Sequence, residues 1–311
     1  MRILIVDDVH EIFHQLMKAN GHEVFEAFDI SKEELIINIT EYDALVVRSK
    51  FFIDKTIIDA MKSKFIICRA GAGMDNIDEE YAKLKNIILL NAPEGNRDAV
   101  AEHVVGMLLG YARNISKSDS EIRNGIWLRE ENRGFELKGK TIGIIGYGNT
   151  GKSLAKKLSG FEMKVIAYDK YLSNYSDDYA SQVSINELKE NSDIISLHIP
   201  LTSETSHYIN IEFIQSLSKK PFMINASRGK VIKTSDLLLG IKSGKLLGAA
   251  LDVLENEHIS NLDGVEKEWF DELVKSQKVL LTSHIAGWTT ESYYKISEVL
   301  AQKLLKQHYS L

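Results

Sequence analysis

The sequence predicts an α/β protein made of two doubly wound units, each organised on a mostly parallel sheet. Short continuous apolar runs recur along the chain and alternate with longer amphipathic segments, the pattern left by strands buried on both faces and by the helices that cover them. The alternation pauses at a loop over 91–96, which holds Pro93 and Gly95, and restarts after Lys140. A chain of 311 residues accommodates two such units at roughly 150 residues each.

In the first half, the runs at 3–6, 44–47, 65–68 and 87–90 read as buried strands. Between them 10–20, 32–38, 57–62 and 79–85 read as helices, the first closed by Gly21 as a C-cap. A long helix is expected over 98–115, where Ala99, Ala101, Gly106, Gly110 and Ala112 allow another helix to approach closely. In the second half, strands are expected at 141–145, 164–168, 194–197, 222–225, 248–251 and 279–282, with helices at 150–158, 185–191, 211–217 and 235–243. A last helix, 290–308, lies beyond the final strand.

Composition narrows the function. Hydrophobic residues at 44% and charged residues at 26% are ordinary for a globular chain. A net charge of −6 with no long run of like charges counts against a nucleic-acid binder, which needs a basic face. Cys68 is the only cysteine, so no internal disulfide forms and a reducing cytoplasm fits. No apolar run is long enough for a bilayer, and the run at 3–6 turns acidic at Asp7 and Asp8, too soon for a signal peptide.

The strand at 141–145 leads into Gly146-Tyr147-Gly148-Asn149-Thr150-Gly151 and then a helix; a second strand ends at Asp169, 23 residues past Gly146. Gly146 permits the tight turn, Gly148 lets backbone approach a pyrophosphate, and Gly151 lets helix and strand pack closely. The helix N-terminus then offers amide donors and positive potential to the phosphates. Asp169 can accept from the adenosine ribose hydroxyls and repels a 2′-phosphate, which predicts NAD rather than NADP. Lys170 and Tyr171 follow it instead of an arginine pair. Three further polar residues follow later strands, where α/β sheets place ligands: Arg228, Glu257 and His284. Singly they read as a surface arginine, a solvated acid and a capping histidine. Together they offer a guanidinium for a carboxylate, a histidine to move a proton, and an acid to tune it.

These stretches resemble the D-2-hydroxyacid dehydrogenase family along essentially the whole chain. The resemblance is carried by Arg69-Ala70-Gly71-Ala72-Gly73-Met74-Asp75-Asn76-Ile77-Asp78, the glycine turn with Asp169, His198-Ile199-Pro200-Leu201-Thr202, Asn225-Ala226-Ser227-Arg228-Gly229, Ala249-Ala250-Leu251-Asp252-Val253 and His284-Ile285-Ala286-Gly287. Leu45-Val46-Val47-Arg48-Ser49 followed by Arg69-Ala70-Gly71 most resembles the 3-phosphoglycerate dehydrogenases within that family.

The resemblance implies a Rossmann NAD domain, 95–284, inserted in a flavodoxin-like substrate domain, 1–94 plus 285–311. It implies Arg228, Glu257 and His284 as the catalytic set and Gly146, Gly148, Asn149, Thr150, Gly151, Asp169, Ile199, Ala226, Ser227, Asp252 and Gly287 around NAD. The backbone of Ala72 and Gly73 would hold the substrate carboxylate. Arg48 and Arg69, each after a strand, would hold a distal phosphate, or else pair with acids such as Asp43 or Asp75. A homodimer formed through the cofactor domain, a cleft active site and hinges near 94–96 and 286–288 are also implied. The C-terminal regulatory domain of longer members, and serine feedback through it, are not expected.

The implied chemistry is NAD-dependent oxidation of a D-2-hydroxy acid, most simply 3-phosphoglycerate in serine biosynthesis. Hydroxypyruvate or glyoxylate reduction, D-lactate-type oxidation and a non-catalytic, corepressor-like NAD sensor are the alternatives. His284 and Arg228 would cover proton and charge, so no metal is called for. Departures from the family are His258 where proline usually follows the catalytic acid, Ser283 where proline often precedes the histidine, a longer 258–278 segment and Trp288 in place of a small residue. The long segment leaves Glu255 as the alternative to Glu257. Two patterns point elsewhere. His10-Glu11-Ile12-Phe13-His14 matches a zinc-protease motif but fits an ordinary amphipathic helix. The acidic end of the first strand imitates a phospho-receiver, yet the strand at 44–47 ends in Arg48 rather than an aspartate. Cys68 reads as a buried strand residue.

Overall fold

A computed structural model describes residues 1–309; Ser310 and Leu311, the end of the segment assigned to the substrate domain, lie outside the described residues. The chain divides into two compact units. One is Met1–Arg97 together with the segment from Trp288 on; the other is Asp98–Gly287.

The first unit contains β1 (Arg2–Ile5), α1 (Glu11–Ala19), β2 (Glu23–Glu26), α2 (Lys32–Asn38), β3 (Ala44–Val47), α3 (Lys55–Asp59), β4 (Ile66–Arg69), α4 (Glu79–Leu84) and β5 (Ile88–Asn91). The strands run parallel in the order β2-β1-β3-β4-β5. Alternate residues of β1 serve opposite faces. Ile3 and Ile5 pack with Phe13, Met17 and Leu304, while Leu4 joins Leu35, Ile57 and Ile58. That two-sided burial is why the strand reads as an unbroken apolar run. The α1 start is fixed by His10, whose Nδ1 accepts from the Ile12 amide.

The second unit takes up most of α5 (Pro93–Ala112), then α6 (Ile115–Arg123), β6 (Thr141–Ile145), α7 (Asn149–Leu158), β7 (Lys164–Tyr168), β8 (Ser181–Gln182), α8 (Ile185–Asn191), β9 (Ile194–Leu197), α9 (Ile211–Gln215), β10 (Phe222–Asn225), α10 (Thr234–Lys242), β11 (Gly248–Leu251), α11 (Gly264–Lys275) and β12 (Val279–Leu281). Its parallel sheet runs β12-β11-β10-β9-β6-β7-β8. The same alternation divides its core: Val165 and Ala167 lie in one cluster, Ile166 in the other. A final helix, α12 (Thr290–His308), belongs to the first unit, where Leu300, Ala301 and Leu304 are fully buried.

The continuous helix expected over 98–115 is corrected. It begins at Pro93 and stops at Ala112, because Asn114 takes a left-handed conformation with φ 52°, and α6 starts anew. Asparagine tolerates that conformation better than most residues. Strands β2 and β8 and helix α11 were not expected. β2 and β8 are sheet edges without a buried apolar run, and α11 occupies the long segment after Glu257. Among the described residues, no helix is long and apolar enough to cross a membrane.

Candidate active site

In the second unit, the order in which strands are added to the sheet reverses between β6 and β9, the place where open α/β sheets take ligands at their carboxyl ends. The glycine turn lies there, and each glycine has a distinct physical reason. Gly146 sits at φ +94°, and a Cβ on it would lie 2.4 Å from the His198 carbonyl oxygen and 2.9 Å from Ile199 Cγ2. A Cβ on Gly151 would come within 2.2 Å of the Gly146 carbonyl, so α7 and the turn touch backbone to backbone. Gly148 differs: a Cβ there would meet no atom within 4 Å. It borders open space directly before the first amides of α7, the cradle that a pyrophosphate requires. Asn149 and Thr150 form the first turn of that helix.

Asp169 follows β7, and its carboxylate is held by backbone amides. Its Oδ2 accepts from the Tyr147 amide at 2.8 Å, and Oδ1 from the Tyr171 and Leu172 amides at 2.9 and 3.1 Å. The carboxylate therefore ties the glycine turn to the loop after β7. Lys170, which could otherwise favour a 2′-phosphate, pairs with Glu204 at 2.5 Å.

The Arg228 loop follows β10. Buried Asn225 organises it, its Oδ1 accepting from the Ser227 amide and hydroxyl at 3.0 and 2.8 Å and its Nδ2 donating to the Arg228 carbonyl at 2.9 Å. Ala226 lies within the same turn. A Cβ on Gly229 would fall 1.8 Å from the Leu254 carbonyl oxygen and 2.6 Å from the Glu255 nitrogen. The loops carrying Arg228 and Glu257 thus meet at their backbones.

His284 follows β12 in a left-handed conformation, φ 55°. Asp252 holds that turn. Its backbone carbonyl accepts from the His284 amide at 2.8 Å; its carboxylate accepts from the Thr282 hydroxyl at 2.5 Å and from the Ile285 and Ala286 amides at 3.0 and 2.8 Å. Burial pushes the Asp252 carboxyl up, but hydrogen bonds from His103, Thr282 and the two amides outweigh it and hold it well below the usual range. His103 Nε2 also lies 3.0 Å from Thr282 Oγ1. The resemblance gave Asp252 a place beside the cofactor; its side chain's contacts are with the histidine loop.

His284 Nδ1 lies 2.8 Å from Glu257 Oε2, with both side chains about half exposed. The hydrogen bond to Glu257 raises the imidazole above its ordinary value, against burial and the Arg228 charge, which lower it. Glu255 has other partners: the Thr234 amide and His207 Nε2, each at 2.6 Å. The structure therefore brings Glu257, not Glu255, to His284. Gly287 closes the segment as the last residue of the unit.

In the first unit, Arg48 follows β3 and Arg69 ends β4, in register with Val47. The Arg48 guanidinium lies 3.9 Å over the Trp288 ring. A Cβ on Gly71 would meet Arg69 Nη1 at 1.6 Å, so that guanidinium covers the glycine. The Ala72–Gly73 loop is pinned where Asn91 Nδ2 donates to the Ala72 carbonyl at 2.7 Å. Asp43, one of the acids named as a possible partner for these arginines, instead meets Lys62 and the Arg2 amide. The zinc-motif histidines are spoken for: His10 caps α1, and His14 pairs with Glu26 at 2.6 Å. Cys68 is fully buried, and burial raises its thiol, which keeps it protonated.

Sequence reasoning missed His103, Thr282, His207 and the organising role of Asn225. None carries a motif; each acts through a contact far away in sequence, apart from Asn225, whose place in the Asn225–Gly229 run was the available signal.

Residues 105–286 match the family model described as the NAD-binding domain of D-isomer specific 2-hydroxyacid dehydrogenases. A D-3-phosphoglycerate dehydrogenase from Archaeoglobus fulgidus is 36% identical over 98% of this chain, which spans 57% of that relative's length. A hydroxypyruvate reductase from Thermotoga maritima is 38% identical, covering 98% of both chains. Among solved structures, a D-lactate dehydrogenase from Aquifex aeolicus complexed with NAD and lactic acid superposes with TM-score 0.82 at 26% identity, over 100% of this chain and 96% of that one. A D-2-hydroxyisocaproate dehydrogenase superposes at 0.81 and 27%, over 99% and 96%.

Proposed function

The chain belongs to the D-2-hydroxyacid dehydrogenase family, and on that footing we propose that it interconverts a D-2-hydroxy acid and its 2-oxo acid, with 3-phosphoglycerate and 3-phosphohydroxypyruvate as the substrate pair. The observation that carries the chemistry is the 2.8 Å His284–Glu257 pair, with the loop of Glu257 packed against that of Arg228. The cofactor, when bound, would supply the hydride acceptor as NAD and the hydride donor as NADH. The turn from Gly146 to Gly151 would hold its pyrophosphate and Asp169 its ribose; engagement of Lys170 by Glu204 favours NAD over NADP.

The protein's own part is binding and proton transfer. Arg228 grips the carboxylate and stabilises negative charge on the reacting oxygen. His284, kept in reserve as the acid by Glu257, gives that oxygen a proton in the reductive direction and removes the hydroxyl proton in the oxidative one. In the first unit, the amides of Ala72 and Gly73 are groups suited to a carboxylate, and Arg48 and Arg69 are suited to a phosphate. Arg48 supports this role because it makes no ion pair among the described residues.

A second reading, unphosphorylated hydroxypyruvate, draws support from the negative field of Asp7 and Asp8 near Arg48 and from the end-to-end match to the bacterial hydroxypyruvate reductase. A homodimer through the second unit is supported by Ile122, Ile126, Trp127 and Leu128, large apolar side chains left exposed close together in sequence. NADH consumption with 3-phosphohydroxypyruvate, hydroxypyruvate, glyoxylate and pyruvate separates the readings. The proposal expects 3-phosphohydroxypyruvate to give the highest kcat/KM. Preference for hydroxypyruvate establishes the second reading, and no turnover with any of them leaves a binding protein.

A further inference from the structure

We propose that Trp288 is a specificity-determining residue, its indole holding the Arg48 guanidinium so that an anionic group distal to the substrate's carboxylate is read along the guanidinium edge. This rests on the reading of Arg48 as the phosphate ligand and names the residue that makes it selective.

The arrangement lies wholly within the first unit. Arg48 follows β3 beside the carboxyl end of β1, the reversal point of that sheet, and with Asp8, Ala70, Trp288 and Tyr293 it lines a small cavity. An arginine beside two aspartates would ordinarily be neutralised by them. Here both acids are engaged elsewhere. Asp7 Oδ2 accepts from the amides of Arg48, Ser49 and Lys50 at 2.7, 2.9 and 2.9 Å. Asp8 Oδ2 accepts from the Tyr293 hydroxyl at 2.6 Å. Both acids still act on Arg48 through their charge, but its guanidinium lies against the indole of Trp288, 3.9 Å from the ring.

A guanidinium carries its five N–H donors in its plane. Stacking on one face uses none of them. It limits the rotamers of a long side chain and leaves the edge free for the bidentate contact that phosphate oxygens make. A small side chain at position 288 would provide no such platform. Trp288 is 55% exposed, so its replacement removes the platform without opening a core.

The test compares Trp288→Leu, Trp288→Phe and Arg48→Ala by the ratio of kcat/KM for 3-phosphohydroxypyruvate over hydroxypyruvate. A cation–π contact of this kind corresponds to about a 2- to 30-fold effect. Trp288→Leu is expected to lower the ratio by that factor, mainly through KM for the phosphorylated substrate, and Trp288→Phe is expected to restore most of it. If Arg48→Ala lowers the ratio and Trp288→Leu does not, or if Trp288→Leu weakens both substrates equally, the role of Trp288 is refuted. If Arg48→Ala itself leaves the ratio unchanged, the phosphate reading beneath it fails. A readout independent of turnover uses a Trp127→Phe, Trp269→Phe protein, in which Trp288 is the only indole. Titration with 3-phosphoglycerate should change its emission saturably, and Arg48→Ala should abolish the change; a flat titration overturns the proposal.

Discussion

Gly148→Ala separates the cofactor site from the fold. Gly148 has φ −80° and ψ −152°, extended backbone that alanine adopts readily, and its new methyl would have no neighbour within 4 Å. Folding therefore pays nothing, and the stiffer unfolded chain stabilises by about 0.4–1 kcal/mol. Thermal unfolding should stay level or rise by up to about 4 °C. The methyl enters the space a phosphate oxygen must reach to meet the α7 amides. Losing one charge-assisted hydrogen bond costs about 1.5–3 kcal/mol, or about a 10- to 150-fold rise in NADH Kd. Gly151→Ala is the contrast: its Cβ would press to 2.2 Å on the Gly146 carbonyl. Overpacking of about 1–3 kcal/mol should lower Tm by about 2–12 °C and weaken NADH as well. Fluorescence titration with NADH and a thermal melt on both variants decide the matter. Unimpaired NADH binding by Gly148→Ala, within about twofold, refutes the placement of the pyrophosphate.

Glu257→Gln removes the group that raises His284. In the reductive direction the imidazole must start protonated, so activity is full below its pKa and falls as pH rises through it. Without Glu257 that alkaline fall should move to lower pH in a kcat/KM profile; an unmoved limb separates Glu257 from the proton step. Glu255→Ala frees the Thr234 amide and His207 and should lower kcat without moving that limb, with Glu255→Gln restoring much of the loss by keeping an acceptor for the amide. A limb that shifts with Glu255→Gln instead makes Glu255 the tuning acid. Gly229→Ala, pressed against the Leu254 carbonyl at 1.8 Å, should lower kcat/KM by at least about 10-fold by spreading the Arg228 and Glu257 loops; activity close to wild type shows that this backbone contact is not needed.

Much of this was legible in the sequence because the residues concerned are local. The glycine turn, Arg228 and His284 each sit within a few positions of a strand end, where one run of residues specifies strand, turn and ligand together. The buried strands were equally plain, since a sheet covered on both faces needs apolar side chains at every position. What was hidden depends on partners far apart in the chain. Asp252 holds the His284 loop across more than thirty residues, and His103 reaches Thr282 across 179. The Arg48–Trp288 stack joins a strand end to a residue near the other terminus. Glu255 and Glu257 could not be told apart from spacing, because either lies on the same loop; only the partners Thr234 and His207 separate them. The edge strands β2 and β8 escaped for the opposite reason, having too little buried apolar surface to mark them.

The central claim is that His284 moves the proton in an NAD-dependent oxidation–reduction at the carbon bearing the hydroxyl. Its most direct test is His284→Gln, assayed for NADH-driven reduction of the preferred 2-oxo acid beside an NADH binding titration on the same preparation. The account predicts a kcat lowered by about 10²–10⁴-fold with NADH affinity close to that of the unmodified protein. Near-normal turnover would contradict it and put the proton shuttle elsewhere.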